Sequence, residues 1–196
     1  MKHGRSACAI EPGLYLLLAL LVLMLPLRWL AAVFLSVLVH ELGHALALKL
    51  CRVEVYRVSF SIPGAQLDTA PISVPQELFC ALAGPASGLC LLLLADIFPR
   101  TAICAGLHSV YNLLPIYPLD GGRALFCLTR LILPEQLCRN LCRMVSWLCL
   151  GGIVLLGLWG SFCLGLGLLP ALIAATLAWK ICQIKFPCKE SLIAVQ

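Results

Sequence analysis

Residues 31–50 read Ala-Ala-Val-Phe-Leu-Ser-Val-Leu-Val-His-Glu-Leu-Gly-His-Ala-Leu-Ala-Leu-Lys-Leu, an apolar run with two histidines and a glutamate inside it. About 20 apolar residues are enough for a helix to cross a bilayer. An acidic side chain at the centre of such a helix costs roughly 2.5–3.5 kcal/mol on insertion scales. The presence of these three polar side chains, despite the free energy of placing them in the membrane, therefore indicates that they have a function.

The spacing of these polar residues predicts a metal site. His40 and His44 are four residues apart, so one face of a helix presents both imidazoles about one turn from each other. Two neutral imidazoles in this arrangement can bind one zinc ion, and Glu41 borders the same face. The pattern His-Glu-x-x-His is typical of zinc metalloproteases, in which the glutamate is the general base.

Composition predicts an all-α polytopic membrane protein. The chain has 196 residues, of which 62% are hydrophobic and only 12% charged, and its mean hydropathy is +1.01. Soluble domains contain about 25% charged residues. We predict a single integral-membrane domain over residues 1–196, with no PDZ or CBS domain. We expect the first helix to be retained in the mature protein rather than cleaved as a signal peptide. Six spans are predicted, at residues 14–27, 29–49, 77–98, 101–117, 141–159 and 161–179.

The distribution of basic residues predicts the orientation in the membrane. If the N-terminus is cytoplasmic and six spans alternate, twelve of the fourteen lysines and arginines lie on the cytoplasmic side, and only Arg28 and Arg100 lie outside. The positive-inside rule favours this asymmetry. We therefore expect a multi-pass protein of the cell membrane whose two termini and active-site opening face the cytoplasm. The net charge of +5 then follows from topology, and no nucleic-acid partner is expected.

The segment between the second and third predicted spans favours β structure. Val53–Ile62 is rich in β-branched and aromatic residues that alternate with polar ones, and Pro63-Gly64 supplies a turn. We predict a small membrane-associated β-hairpin here. It is either a plain connector or an edge that binds an extended peptide by strand addition.

A catalytic zinc ion normally has three protein ligands, so the two histidines need a partner. Asp120 follows two prolines and precedes Gly121-Gly122, in an irregular segment that must lie against protein or water at membrane depth. We predict that Asp120 is the third ligand rather than a turn residue. His108, three turns earlier, is predicted to be a hydrogen-bonded residue between helices rather than a ligand. Asn112 either packs similarly or donates a hydrogen bond to a substrate carbonyl.

Two motifs together resemble the site-2 protease family of intramembrane zinc metalloproteases. These are His-Glu-Leu-Gly-His at 40–44 and Asn-x-x-Pro-x-x-Pro-Leu-Asp-Gly-Gly at 112–122, and the resemblance covers about residues 14–130. It is closest to the small stage IV sporulation-type proteases of spore-forming bacteria. Many members have Asn where this chain has Gly88. The resemblance implies one catalytic Zn²⁺ ion, with His40, His44 and Asp120 as its ligands. It also implies that Glu41 is the catalytic acid and base and that Asn112 contacts the substrate.

The resemblance also implies a reaction and its partners. The expected activity is hydrolysis of a peptide bond in or near a transmembrane segment of a membrane-embedded protein substrate, within the lipid bilayer. The substrate would be a regulatory protein cleaved by regulated intramembrane proteolysis. Sporulation is the candidate pathway, and membrane regulatory proteins are candidate partners. A polytopic metal-ion transporter is one alternative, although no internal repeat is found. A non-catalytic membrane-binding relative is another, although a pure scaffold needs no base at Glu41.

Overall fold

The computed structural model describes residues 7–10, 22–23, 25–61, 64–163 and 178 of the chain. The fold is mostly helical and divides into two compact units, Met1–Tyr111 and Asn112–Gln196. In chain order the described elements are β1 (Ala7–Ile10), α1 (Leu27–Leu50), β2 (Val55–Ser61), β3 (Gly64–Thr69), α2 (Val74–Cys90), a 3-10 helix (Leu91–Leu94), α3 (Pro99–Asn112), α4 (Asp120–Arg130) and α5 (Glu135–Phe162).

Helix α1 buries mainly small and polar residues and exposes most of its large apolar ones. The residues buried on its inner side recur every three or four positions, as one helical face requires, and are Ala32, Ser36, His40, Gly43 and Ala47. Large side chains point outward, among them Phe34 (67% exposed) and Leu46 (58% exposed). A soluble helix has the opposite pattern, because water expels large apolar groups. Lipid is therefore the medium around α1, and the chain is a membrane protein.

Helix α1 packs against α2 in the first unit. Ala47, Leu48 and Cys80 form a buried apolar cluster between the two helices. The hydroxyl of Ser87 shares its one hydrogen between the backbone carbonyl of Val39 on α1, at 3.0 Å, and that of Gly84 on its own helix, at 2.7 Å. Small residues at such a contact let two helix backbones approach closely, which is how helices associate in a membrane.

Three described helices are long and apolar enough to cross a membrane: Leu27–Leu50, the continuous helical segment Val74–Leu94, and Glu135–Phe162. They overlap the predicted spans at 29–49, 77–98 and 141–159, with bounds that differ by one to six residues. The predicted span at 101–117 corresponds to α3, which has 14 residues and ends at Asn112. The helix ends before Pro115, because proline has no backbone N–H to continue the helical hydrogen bonds. Most of the predicted spans at 14–27 and 161–179 lies outside the described residues, so the number six stays a prediction.

A three-stranded sheet precedes α2. Strands β2 and β3 pair antiparallel, with Val58 opposite Leu67 and Ser61 opposite Gly64. Strand β1 pairs with the other side of β2 in parallel, so β2 is the central strand. The sequence did not predict β1, because four residues carry too little periodic signal. Since strand addition needs an unpaired edge, a peptide could extend this sheet only beside β1 or β3 among the described strands, and not beside β2.

The second unit contains α4, an 11-residue helix that the sequence analysis did not predict. Its ends suit a helix electrostatically, because Asp120 lies in the first turn and Arg130 in the last. It packs against α5 through Phe126, Cys138 and Cys142, which are buried together. The Gly-Gly pair before its apolar residues gave a turn signal that concealed the helix.

The loop before α4 folds back onto the first turn of that helix. A Cβ atom added at Gly121 would overlap the backbone carbonyl of Leu113 and lie 2.6 Å from the carbonyl oxygen of Leu114. One added at Gly122 would lie 2.5 Å from the carbonyl oxygen of Ile116. Backbone atoms cannot move aside as a flexible side chain can, so both positions require glycine.

Gly121→Ala should lower the free energy of unfolding of the protein by about 1–3 kcal/mol, because the loop must shift to admit the methyl group. Gly151→Ala is the matched control, since no atom lies within 4 Å of a Cβ at that helical position. Alanine is a better helix former than glycine, so the control should be unchanged or slightly more stable. Denaturant titration in detergent measures both. Equal stability of the two variants would contradict the packing described for the loop.

Candidate metal centre

The two histidines of α1 bring their ring nitrogens together. The Nε2 atoms of His40 and His44 are 3.1 Å apart, and the two rings cross at 82° with centroids 4.7 Å apart. His40 is 3% exposed and His44 is half-buried. Helical geometry alone puts residues i and i+4 on one face. The side-chain rotamers then direct both Nε2 atoms to one point.

A backbone carbonyl of α2 orients the second histidine. The distance from His44 Nδ1 to the carbonyl oxygen of Cys80 is 2.8 Å. Because a carbonyl only accepts hydrogen bonds, the proton lies on Nδ1, and Nε2 of a neutral ring keeps its lone pair. Metal-binding histidines are oriented in the same way, with the second ring nitrogen donating to a carbonyl or carboxylate. The pair therefore fits a zinc ion in its donor chemistry.

Gly84 leaves the space that the ring of His44 occupies. A Cβ atom at this position would overlap His44 Nε2, and it would lie 2.5 Å from Cε1 and 2.8 Å from Cδ2. Gly84 is itself buried in α2. The small-xxx-small spacing of Gly84 with Gly88 is typical of close packing between membrane helices. The structure adds a specific neighbour, which is the candidate metal ligand.

Glu41 follows His40 on α1 and is half-buried. Consecutive helical residues are about 100° apart around the axis, so its carboxylate lies beside the face that carries the imidazoles rather than on it. A carboxylate in this position is suited to exchange protons with a group held near the histidines, without itself occupying a ligand position.

Asp120 and Asn112 belong to the second unit. Asp120 is 7% exposed and is the first residue of α4, where the backbone N–H groups and the helix dipole stabilise a negative charge. Its Oδ1 lies 3.9 Å from Nη1 of Arg123, one turn later. Asn112 is the last residue of α3 and is half-buried.

A serine on α5 holds the loop that leads to Asp120. The backbone N–H of Tyr117 donates to Ser146 Oγ at 3.1 Å, and this hydroxyl donates to the carbonyl of Cys142 at 2.7 Å. Ser146 is 2% exposed. An irregular backbone at membrane depth needs such partners, because lipid offers none. Sequence reasoning missed Ser146, since a single serine in an apolar helix gives no sign of which backbone group it serves.

The first unit thus brings together His40 and His44, and it adds His108, whose ring crosses that of His40 at 79° with centroids 4.6 Å apart.

The sequence analysis did not predict that the Cys80 carbonyl orients His44. No sequence signal could have found it, because every residue carries the same carbonyl group.

Comparison with known proteins gives two sequence relatives. No family model matches the chain. It is 31% identical to stage IV sporulation protein FB of Bacillus subtilis over 168 residues, which are 78% of this chain and 57% of that protein. It is 34% identical over 108 residues to a Synechocystis protein provisionally named a zinc metalloprotease, covering 47% of this chain and 28% of that protein. The chain therefore spans little more than half the length of the first relative.

The fold has a solved counterpart. The structure of the site-2 protease from Methanocaldococcus jannaschii matches with a TM-score of 0.65 and 19% sequence identity, covering 96% of each chain. At this identity the match establishes the fold. Together with the two named relatives, it confirms the resemblance to the site-2 proteases that the two motifs predict.

Gly84→Ala should weaken zinc binding by about 10- to 100-fold, the range seen when a ligand loses the partner that orients it, because the methyl group displaces the His44 ring. Zinc retained by the purified protein at a series of chelator concentrations measures the affinity. Gly152→Ala, which adds a methyl group where nothing lies within 4 Å, is the control. Equal zinc affinity of the two variants would show that the His44 ring does not depend on Gly84.

Proposed function

We propose that the chain is an intramembrane zinc metalloendopeptidase of the site-2 protease type. The observation that carries this proposal is the convergence of His40 and His44 at Nε2, with His44 oriented by the Cys80 carbonyl, inside a helix that exposes apolar residues to lipid. The sequence relatives and the shared fold support the same assignment.

In this proposal His40, His44 and Asp120 hold one Zn²⁺ ion. Two imidazoles and a carboxylate form the donor set of many catalytic zinc sites, which leave a further position open. The ion would supply Lewis acidity, which activates water and polarises a carbonyl group. Asp120 supports this assignment by its chemistry, since it offers a buried carboxylate oxygen, which is a common ligand of catalytic zinc.

The protein's own groups would carry the proton transfers. Glu41 takes a proton from the attacking water and delivers it to the nitrogen of the leaving amine, as a general base and then a general acid. Its position next to His40 on α1 keeps the half-buried carboxylate beside the histidines. The amide of Asn112, at the end of α3, would donate a hydrogen bond to the substrate backbone.

The apolar surroundings of the site support a membrane-embedded substrate, and the resemblance to the site-2 proteases adds the expectation that this substrate is regulatory. We expect a membrane-embedded regulatory protein, cleaved in or near its transmembrane segment, with sporulation as the candidate pathway. A peptide bond within a helix is already hydrogen-bonded, so the substrate must unwind before it is cleaved. A free edge of the three-stranded sheet, beside β1 or β3, is suited to hold the unwound strand.

The proposal includes the membrane topology that the basic residues predict. The chain would cross the cell membrane six times as one domain, with both termini and the opening of the site on the cytoplasmic side. Cysteine labelling at the two tails in intact and permeabilised cells would test this orientation.

Glu41→Gln should abolish peptide hydrolysis and leave zinc binding unchanged, because glutamine keeps the size of the side chain but cannot accept the proton. The readout is proteomic. Cells carrying the wild type or this variant are compared for uncut single-span membrane proteins, and zinc is measured in the purified protein.

Asp96→Asn is the control for Glu41→Gln, since it neutralises an exposed carboxylate in the turn after the 3-10 helix. It should cleave at the wild-type rate. Cleavage by Glu41→Gln at that same rate would remove the role assigned to Glu41. Zinc uptake into vesicles by Glu41→Gln, lost in His40→Ala, would instead favour a metal carrier.

Asp120→Asn should lose zinc as well as activity, because a neutral amide is a poor replacement for a carboxylate ligand. The loss of affinity should exceed the roughly 10- to 100-fold that removal of an outer partner causes. The matched comparison is Glu41→Gln, which should lose activity alone. If Asp120→Asn bound zinc as tightly as Glu41→Gln does, Asp120 would not be a ligand.

A further inference from the structure

His108 of α3 is a third imidazole in the first unit, and its position is specific. Its ring packs against that of His40 with a centroid distance of 4.6 Å and an interplanar angle of 79°, an edge-to-face contact. His40 makes a similar contact with His44, at 4.7 Å and 82°. Two imidazole rings therefore contact that of His40, and each is nearly perpendicular to it.

The approach of α3 to α2 places His108 at this point. Gly88 on α2 has no side chain, and the hydroxyl of Ser109 on α3 occupies the space that its Cβ would fill. Ser109 is fully buried, as is Ala105 one turn earlier. Ser109 directly follows His108, so a helix held at this close distance leaves His108 little freedom to move away from His40.

The two candidate ligands have different neighbours in the first unit. The Cys80 carbonyl fixes the ring of His44 by a hydrogen bond. An edge-to-face neighbour can likewise fix the plane of the His40 ring, because the positive edge of one ring is attracted to the negative face of the other. Orientation of a metal ligand by its surroundings commonly changes metal affinity by 10- to 100-fold.

We propose that His108 is a positioning residue, whose ring holds His40 in the orientation that binds zinc. It acts through His40 and not as a ligand itself. The inference rests on the proposed function, because it takes His40 to be a zinc ligand.

The test measures zinc affinity in the full-length protein in detergent. His108→Leu fills a similar volume without an aromatic edge and should weaken zinc binding by about 10- to 100-fold. His108→Phe keeps an aromatic edge and should stay within about threefold of the wild type. His108→Ala serves as a second loss variant, and Leu107→Ala, an adjacent side chain that is 69% exposed, is the matched control.

A spectroscopic readout separates positioning from a general loss of stability. The visible absorption of the Co²⁺-substituted protein depends on the arrangement of the ligands around the metal. It should change in His108→Leu, and it should match the wild type in His108→Phe and Leu107→Ala. A variant that is merely less stable would keep the wild-type spectrum in its folded fraction.

Two results would overturn the proposal while leaving the protease assignment intact. One is wild-type zinc affinity in both His108→Leu and His108→Ala. The other is equal weakening in His108→Phe and His108→Leu, which would mean that a ring nitrogen of His108 is required and not its ring edge. If the wild-type protein itself binds no stoichiometric zinc, the proposed function and this inference fail together. Zinc binding by the wild type therefore distinguishes failure of both from failure of this inference alone.

Discussion

The hydrogen bond from His44 Nδ1 to the carbonyl of Cys80 is the interaction on which the first unit depends. In a regular helix that carbonyl also accepts the N–H of Gly84, four residues later, so His44 uses its second lone pair. Access to this lone pair from the side is open only because Gly84 has no Cβ. One glycine thus allows α2 both to approach α1 and to orient a candidate metal ligand.

Burial in lipid explains why the helices pack through small and polar residues. No hydrophobic gain accompanies the contact of two apolar helices in a membrane, so close packing and hydrogen bonds must hold them. The bond from Ser87 to the Val39 carbonyl and the fit of Ser109 against Gly88 serve this purpose. The same contacts bring the imidazoles of α1 and α3 together. The packing of the helices and the construction of the site are therefore one arrangement.

The second unit meets the same constraint in its loop. Residues between α3 and α4 lack regular hydrogen bonds, and lipid cannot replace them. Ser146 pairs with the N–H of Tyr117, while the glycines after Asp120 allow the loop backbone to lie on the helix. The position of Asp120 at the start of α4 then follows from backbone contacts rather than from its own side chain.

The sequence by itself determined the membrane class, the helical face that carries His40 and His44, and the choice of Asp120 as the candidate third ligand. The first two follow from local polarity and from the 3.6-residue period, and the choice of Asp120 follows from the prolines and glycines around it. A sequence displays all of these directly. Only the tertiary structure decided that Cys80 orients His44, that His108 lies against His40, that Ser146 holds the loop, and that β2 is a central strand. Such contacts join backbone groups common to every residue, or side chains far apart in the chain, and neither leaves a local pattern.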